Sequence, residues 1–197
     1  MDHIELFELT SDYDNYIQSE DALLPNISLI LETAKLYYNP VIIKNYLRFV
    51  AVEDSNIVLT SVNIQTGEPD NTIDLQYSKN GVTWTQYDFT PIQLKTGETL
   101  YLKGNNPNGF SYLDMESNIG YIRSFGDVSG TGNGTTGKYE CHGNVMSLLH
   151  GDDFEDKTTI PDVMCFYGLF ATCYGLLTAP ELPATTLTSG CYASMFL

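Results

Sequence analysis

The chain has 197 residues and a mass of 22.0 kDa, the size of one ordinary domain or two small ones. Hydrophobic residues make up 43% of it, enough to bury a core, and 25 acidic against 9 basic residues give a net charge of −16. Nucleic acid and anionic membrane surfaces both need clustered lysine and arginine, so neither partner is expected. No apolar run approaches the roughly 18 residues of a membrane-spanning helix, so no membrane insertion is expected.

The first segment, residues 1–40, is strongly acidic. It has eight acidic residues and one lysine, a net charge of −7. It begins with neither a basic region nor an apolar stretch, so no secretory signal peptide is expected. Apolar alternation over residues 27–31, between Pro25 and Pro40, predicts one short strand. We interpret this segment as an extended arm that is too small to fold alone.

The second segment, residues 41–140, is predicted to be rich in short strands. Asn80-Gly81 lies between two alternating runs and predicts a hairpin with a type I′ turn. Strands at this spacing, without helical patterns between them, favour an antiparallel β-sandwich. A Gly/Ser/Thr-rich stretch at residues 126–137 is predicted to be a mobile loop before a boundary. The predicted strands are residues 46–52, 56–62, 73–78, 83–87 and 99–104, with one more pair within 110–125.

The third segment, residues 141–197, repeats itself. CFYGLF at residues 165–170 matches CYASMF at residues 191–196, an offset of 26 that lies within the range of leucine-rich repeats. One turn of such a solenoid cannot bury its apolar face alone. Because the chain stops as the second copy begins, three explanations stay open. The stack is exposed, the chain is a fragment of a longer one, or another molecule supplies the neighbour; the fragment explanation is favoured.

Aromatic and sulfur side chains are more simply explained by packing than by binding. Without an export signal, the four cysteines are expected to be buried thiols, with a disulfide as the less favoured alternative. Trp84 and the many tyrosines have rings that stack on sugars, but core packing is favoured for Trp84. The residues expected inside the repeat are Cys165, Cys173, Cys191, Phe170 and Phe196.

Motifs that would carry chemistry are incomplete. GNGTTGK at residues 132–138 fits a phosphate-binding loop, but Tyr139 follows where Ser or Thr must bind Mg²⁺, so a flexible loop is favoured. The acidic residues within 152–156 lack EF-hand spacing, which favours a solvated turn over a Ca²⁺ site. His142 and His150 lie eight residues apart, which disfavours zinc. We therefore predict no catalytic, cofactor-binding or metal-binding residues.

The last third of the chain resembles a known repeat family. LTAPELPATTLTSGCYASMF at residues 177–196 is similar to the repeat unit of BspA-like leucine-rich-repeat proteins of Bacteroidetes and their phages, although members usually carry several repeats. NVMSLLHGDDF, from residue 144, resembles the segment that introduces these repeats. LQYSKNGVTWTQY and GETLYLKGNN, from residues 75 and 97, resemble the small β-domain that precedes them. The implied fold is mainly β: an extended N-terminal arm, an antiparallel β-sandwich and a short leucine-rich-repeat segment.

The arm has a resemblance of its own. LPNISLILETAKLYYNP at residues 24–40 resembles an N-terminal segment of virion-associated proteins in Bacteroides phages, including crAss-like phages. The resemblance implies a non-enzymatic virion structural protein of head-fibre or tail-fibre type, located on the exterior surface of the particle and synthesised in the host cytoplasm. The residues expected to anchor it to the virion are Leu31, Tyr37, Tyr38, Asn39 and Pro40.

The partners implied are capsid or tail proteins of the same virion, further copies in a symmetric homo-oligomer such as a trimer, and a host surface glycan or protein. No cofactor and no nucleic acid are expected. The alternative is a bacterial surface adhesin or carbohydrate-binding module with an unusual export signal. A third and weaker hypothesis is an accessory domain of a hydrolase.

Overall fold

The computed structural model describes residues 42–197 except Met115, Ser129 and Thr131. Residues 43–197 form one compact unit. The strand predicted at residues 27–31 and the anchoring residues predicted between Leu31 and Pro40 lie outside the described residues.

The described part is mainly β, as predicted, and all of its named strand pairs are antiparallel. It has one four-residue helix, α1, followed directly by a 3₁₀ turn at Gly151–Asp153. The strands and helix in chain order are β1 Leu47–Ala51, β2 Ser55–Ile57, β3 Thr60–Asn63, β4 Gln76–Ser78, β5 Thr85–Gln86, β6 Ile92–Leu94, β7 Thr99–Lys103, β8 Tyr112–Asp114, β9 Ile119–Ser124, β10 Tyr139–His142 and α1 Ser147–His150.

Three sheets are formed by these strands. The largest has the order β10-β1-β7-β4-β5, while β2 pairs with β6 and a third sheet has the order β3-β9-β8. In β1 every second side chain is buried, which is the period expected of a strand with one face on the core. Phe49 at the centre of β1 lies opposite Cys141 in β10 and Leu100 in β7. The strands predicted at residues 46–52 and 99–104 are thus confirmed as the middle of the main sheet.

The hairpin predicted at Asn80-Gly81 is confirmed, but its turn is not type I′. β4 and β5 pair antiparallel, and the loop between them runs over residues 79–84. Gly81 has a φ of 72°, whereas Asn80 does not adopt the left-handed conformation that a type I′ turn requires. The Oδ1 of Asn80 instead accepts hydrogen bonds from the amides of Val82 and Thr83. This side-chain cap stabilises a longer loop in place of the two-residue turn.

The single strand predicted at residues 56–62 is wrong, because β2 and β3 belong to different sheets. Val58 and Leu59 lie between β2 and β3, and their backbone amides donate to side chains that are distant in sequence. The Val58 amide donates to Thr135 Oγ1 and the Leu59 amide donates to Tyr87 Oη. The glycine-rich segment is held at its C-terminal end, since Thr136 and Asn56 exchange two backbone hydrogen bonds of 3.0 and 3.2 Å.

The strand β10 joins the β-sheet to the repeat segment. One edge of β10 pairs with β1, and along the other edge the amide of Tyr139 donates to the Gly175 carbonyl at 3.0 Å. The amide of Leu177 donates back to the Tyr139 carbonyl at 2.9 Å. The limit predicted between residues 140 and 141 falls inside this strand, and one cluster of buried side chains extends from Tyr46 to Met195.

Candidate functional surface: the stacked coils

The two matching repeat segments form two ribbons of consecutive tight turns, coil 1 (residues 164–173) and coil 2 (residues 190–197). In coil 1 the amides of Tyr167, Leu169 and Ala171 each donate to the carbonyl three residues earlier, at 2.9–3.3 Å. Residues with positive φ recur every fourth position, at 164, 168 and 172 in coil 1 and at 190 and 194 in coil 2. The same backbone conformation therefore recurs at the offset of 26 that the sequence shows.

The coils are joined by a one-way ladder of hydrogen bonds. Four bonds of 2.6–3.1 Å all run from amides of coil 1 to carbonyls of coil 2. They connect Phe166 to Cys191, Gly168 to Ala193, Phe170 to Met195 and Thr172 to Leu197. The opposite edge of coil 1 presents carbonyls, which accept from the amides of Ser111 and Phe125. Each coil thus has a donor edge and an acceptor edge.

Aromatic rings stack in register between the coils. Phe166 and Tyr192 are nearly parallel with centroids 5.8 Å apart, and Phe170 and Phe196 stack at 5.5 Å. Phe170 is buried as predicted, but Phe196 is 48% exposed, which corrects the expectation that it is interior. The reason is positional: coil 2 covers one face of Phe170, while no described residue takes that place over Phe196.

The four cysteines are buried and free, so the favoured prediction of buried thiols is confirmed. Burial raises the pKa of Cys165 to about 12 and that of Cys173 to about 11. Burial also raises the pKa of Cys141 well above its ordinary value. These three side chains therefore stay protonated at neutral pH, and a protonated thiol is a poor nucleophile.

The predicted acidic turn is held by neighbouring side chains. Asp152 accepts hydrogen bonds from Lys103 Nζ at 2.8 Å and from Tyr46 Oη at 2.6 Å, and these bonds lower its pKa. Lys103 also lies 4.3 Å from the centre of the half-buried Trp84 ring, which itself packs on Tyr46. Asp152 and Lys103 thus form a charged hydrogen-bonded pair. Trp84 packs against neighbouring side chains, which is the role that the sequence favoured for it.

The remaining sequence motifs lie in or directly beside β10 and α1. Residues 132–138 are followed by β10 and not by a helix, and Thr135 and Thr136 bond to the β2 region. His142 pairs with Glu140 at 2.9 Å, while His150 ends α1. Within the part of the chain that the structure describes, no three His, Cys, Asp or Glu side chains are grouped to hold a metal ion.

A groove beside β3 is a second concave surface, and no local sequence pattern predicts it. Its wall includes the Phe89 ring, which is half-buried and lies 5.3 Å from Tyr87. Phe89 has a φ of 66°, a conformation that costs energy in a bulky residue. The groove is lined by Val58, Leu59, Thr60, Ser61, Val62, Gly67, Pro69, Asn71, Phe89 and Asn133.

Comparison with known proteins adds no relative. No protein-family model matches the chain, and no curated protein and no solved structure matches it either. Among residues 42–197, leaving aside the three positions not described, no helix has the length and apolar character to cross a membrane. A functional proposal therefore depends on the sequence resemblance and on the geometry of the described unit.

Proposed function

We propose that this protein is a non-enzymatic structural component of a phage virion, of head-fibre or tail-fibre type. The arm of residues 1–40 attaches it to capsid or tail proteins, and residues 43–197 face outward for attachment to the host surface. In this proposal several copies assemble as a symmetric homo-oligomer such as a trimer. The sequence support is the resemblance of residues 24–40 to virion-associated proteins and of residues 177–196 to BspA-like repeats.

The observation that carries the proposal is that the repeat coils and the sheet share β10. Main-chain hydrogen bonds join β10 to β1 on one side and to residues 175–178 on the other. The orientation of the coils is therefore set by a hydrogen-bonded sheet and not by a flexible linker. A rigid outward unit suits attachment, because force on its distal end is transmitted to the anchored end without loss of orientation.

The buried thiols also suit a protein on the outside of a particle. Reactivity toward oxidants follows the thiolate fraction and exposure, and the cysteines are both buried and, for Cys141, Cys165 and Cys173, held protonated. The protein therefore tolerates oxidising surroundings without needing disulfides.

Deleting residues 1–40 should abolish incorporation into virions. The proposed anchor lies entirely in that segment, while residues 43–197 have their own core and should fold without it. The measurement is the amount of this protein in purified particles assembled with the full chain or with the shortened chain, by quantitative immunoblot. We expect a loss of more than tenfold.

A second variant separates anchoring from folding. In the full chain, Tyr37→Ala with Tyr38→Ala should reduce incorporation, while Tyr174→Ala, at a site 94% exposed on the outward unit, should not. Circular dichroism of each purified variant reports whether the fold is kept. Incorporation of the shortened chain at the full-length level would refute the anchoring role.

The groove beside β3 supports a second candidate function, a carbohydrate-binding module. An aromatic ring and side-chain amides are the groups that stack on and hydrogen-bond to neutral sugars, and here Phe89 lies in one groove with Asn71 and Asn133.

If this groove binds sugars, Phe89→Ala should weaken glycan binding at least tenfold. The full chain is screened on an array of neutral bacterial surface glycans, and a bound glycan is then titrated by calorimetry. Tyr174→Ala is the matched control, because that exposed ring is not among the groove residues. Absence of any bound glycan, or equal affinity in the Phe89 variant, would remove this candidate.

A further inference from the structure

We propose that Asn133 is a self-modification site, at which the side-chain amide is lost as ammonia and the residue becomes aspartate or isoaspartate. The chemistry is that of Asn-Gly sequences, in which the glycine amide nitrogen attacks the asparagine side chain. It needs water and no enzyme. This inference is independent of the virion and carbohydrate proposals, because it follows from the backbone contacts of three short sequences.

Three Asn-Gly pairs occur in the chain, at residues 80–81, 108–109 and 133–134. Glycine at the second position leaves the peptide nitrogen uncrowded, because glycine has no Cβ. All three asparagines are exposed. Sequence and exposure of the asparagine therefore do not separate the three pairs, and the difference between them lies in the glycine amides.

The glycine amides of the first two pairs are held in hydrogen bonds. The Gly81 amide donates to Ser78 Oγ at 2.9 Å, and the Asn80 Oδ1 accepts from two further amides of the same loop. The Gly109 amide donates to the Asn106 carbonyl at 3.0 Å. Both glycines are also buried. Attack by either nitrogen therefore requires its hydrogen bond to break and its turn to open first.

The glycine amide of the third pair has no such restraint. Gly134 is only half-buried, and among the residues that the structure describes its amide has neither a backbone nor a side-chain acceptor. The hydrogen bonds resume one residue later, where the Thr135 amide donates to the Phe125 carbonyl at 3.0 Å. The Gly134 nitrogen can therefore react without the loss of a hydrogen bond.

The reaction balances with water alone. The Gly134 nitrogen forms a bond to the side-chain carbonyl carbon of Asn133, the bond from that carbon to Nδ2 breaks, and ammonia leaves with the proton of the Gly134 amide. Water then opens the five-membered succinimide ring at either carbonyl, which gives aspartate or isoaspartate. Asn133 lines the groove beside β3, so the product places a carboxylate where the groove had an amide.

The test is to incubate the purified full chain at neutral pH and to follow the three pairs by peptide mass spectrometry, with isoaspartate identified by enzymatic methylation. We expect Asn133 to convert at least about tenfold faster than Asn80 and Asn108, since those two need a local opening first. In urea the three pairs should convert at rates within about threefold of one another, because unfolding removes the hydrogen bonds that separate them.

Ser78→Ala is the matched variant, because it removes the acceptor of the Gly81 amide and leaves the third pair unchanged. Conversion at Asn80 should rise at least about threefold in this variant, while conversion at Asn133 stays the same. Circular dichroism reports whether the fold is kept. The proposal fails if Asn133 converts no faster than Asn80 and Asn108 in the folded chain. It also fails if the same difference persists in urea, because neighbouring residues in the sequence would then set the rates.

Discussion

Replacing Phe49 with alanine should lower the free energy of unfolding by about 3–5 kcal/mol, the usual cost of a buried Phe→Ala change. Phe49 is fully buried in β1. Its ring centroid lies 4.9 Å from that of Phe125, 5.4 Å from Tyr139 and 6.3 Å from Phe170. Those three rings lie after β9, in β10 and in coil 1, so the cavity would open where the sheet and the repeat meet.

The measurement is urea unfolding followed both by Trp84 fluorescence and by far-ultraviolet circular dichroism. Val82→Ala in the β4–β5 loop is the matched control, because Val82 is 50% exposed and its truncation should cost less than about 0.5 kcal/mol. We expect the two signals to change together, as they do when one core unfolds cooperatively. A loss below about 1.5 kcal/mol for Phe49→Ala would show that this junction does not hold the unit together.

Replacing Arg123 with methionine should cost about 3–5 kcal/mol, because it leaves the carboxylate of Asp70 largely buried without its cation. The Arg123 side chain is only 3% exposed and that of Asp70 11%. The guanidinium of Arg123 donates to the Asp70 carboxylate and, at 3.0 Å, to Thr72 Oγ1. It also donates to the Phe110 carbonyl and lies 3.8 Å from the centre of the Tyr121 ring. One side chain thus ties the loop at residues 70–72 to β9.

The matched control is Lys95→Met, which breaks the exposed ion pair of Lys95 with Asp54. These side chains are 75% and 60% exposed, so the loss should be much smaller than the loss for Arg123→Met. The double variant Arg123→Met with Asp70→Asn should lose less free energy of unfolding than the two single variants lose together. The reason is that the double variant leaves no charge buried without a partner. Strict additivity, or a loss for Arg123→Met no larger than for Lys95→Met, would contradict the role of this pair.

Local sequence patterns predicted the main sheet well. The alternation in β1 and β7 has the period of a half-buried strand, and Asn80-Gly81 marks the hairpin between β4 and β5. The predicted strand at residues 56–62 failed, because a continuous run of apolar and β-branched residues looks the same whether it stays in one sheet or changes sheet. That change is made by Thr135 and Tyr87, which are 77 and 28 positions away.

Of the two candidate surfaces, the sequence predicted the repeat coils but not the groove. The offset of 26 could be read directly from CFYGLF and CYASMF, and the two segments lie stacked at that offset. The groove beside β3 could not be predicted, since its walls come from residues 58–71, Phe89 and Asn133. The buried pair of Arg123 and Asp70 could not be predicted either, because no local sequence pattern distinguishes these two charged residues from exposed ones.

The sequence by itself determined the mainly β class, the centre of the main sheet, the burial of the cysteines and the repeat period, because each depends on composition or on spacing along the chain. Only the tertiary structure decided that β10 is shared by the sheet and the repeat, and that the hydrogen bonds between the coils run from the amides of coil 1 to the carbonyls of coil 2. The physical reason is that hydrogen-bond direction and sheet sharing depend on which distant segments meet. Residue type does not specify those meetings, since every amide and carbonyl along a backbone is chemically alike.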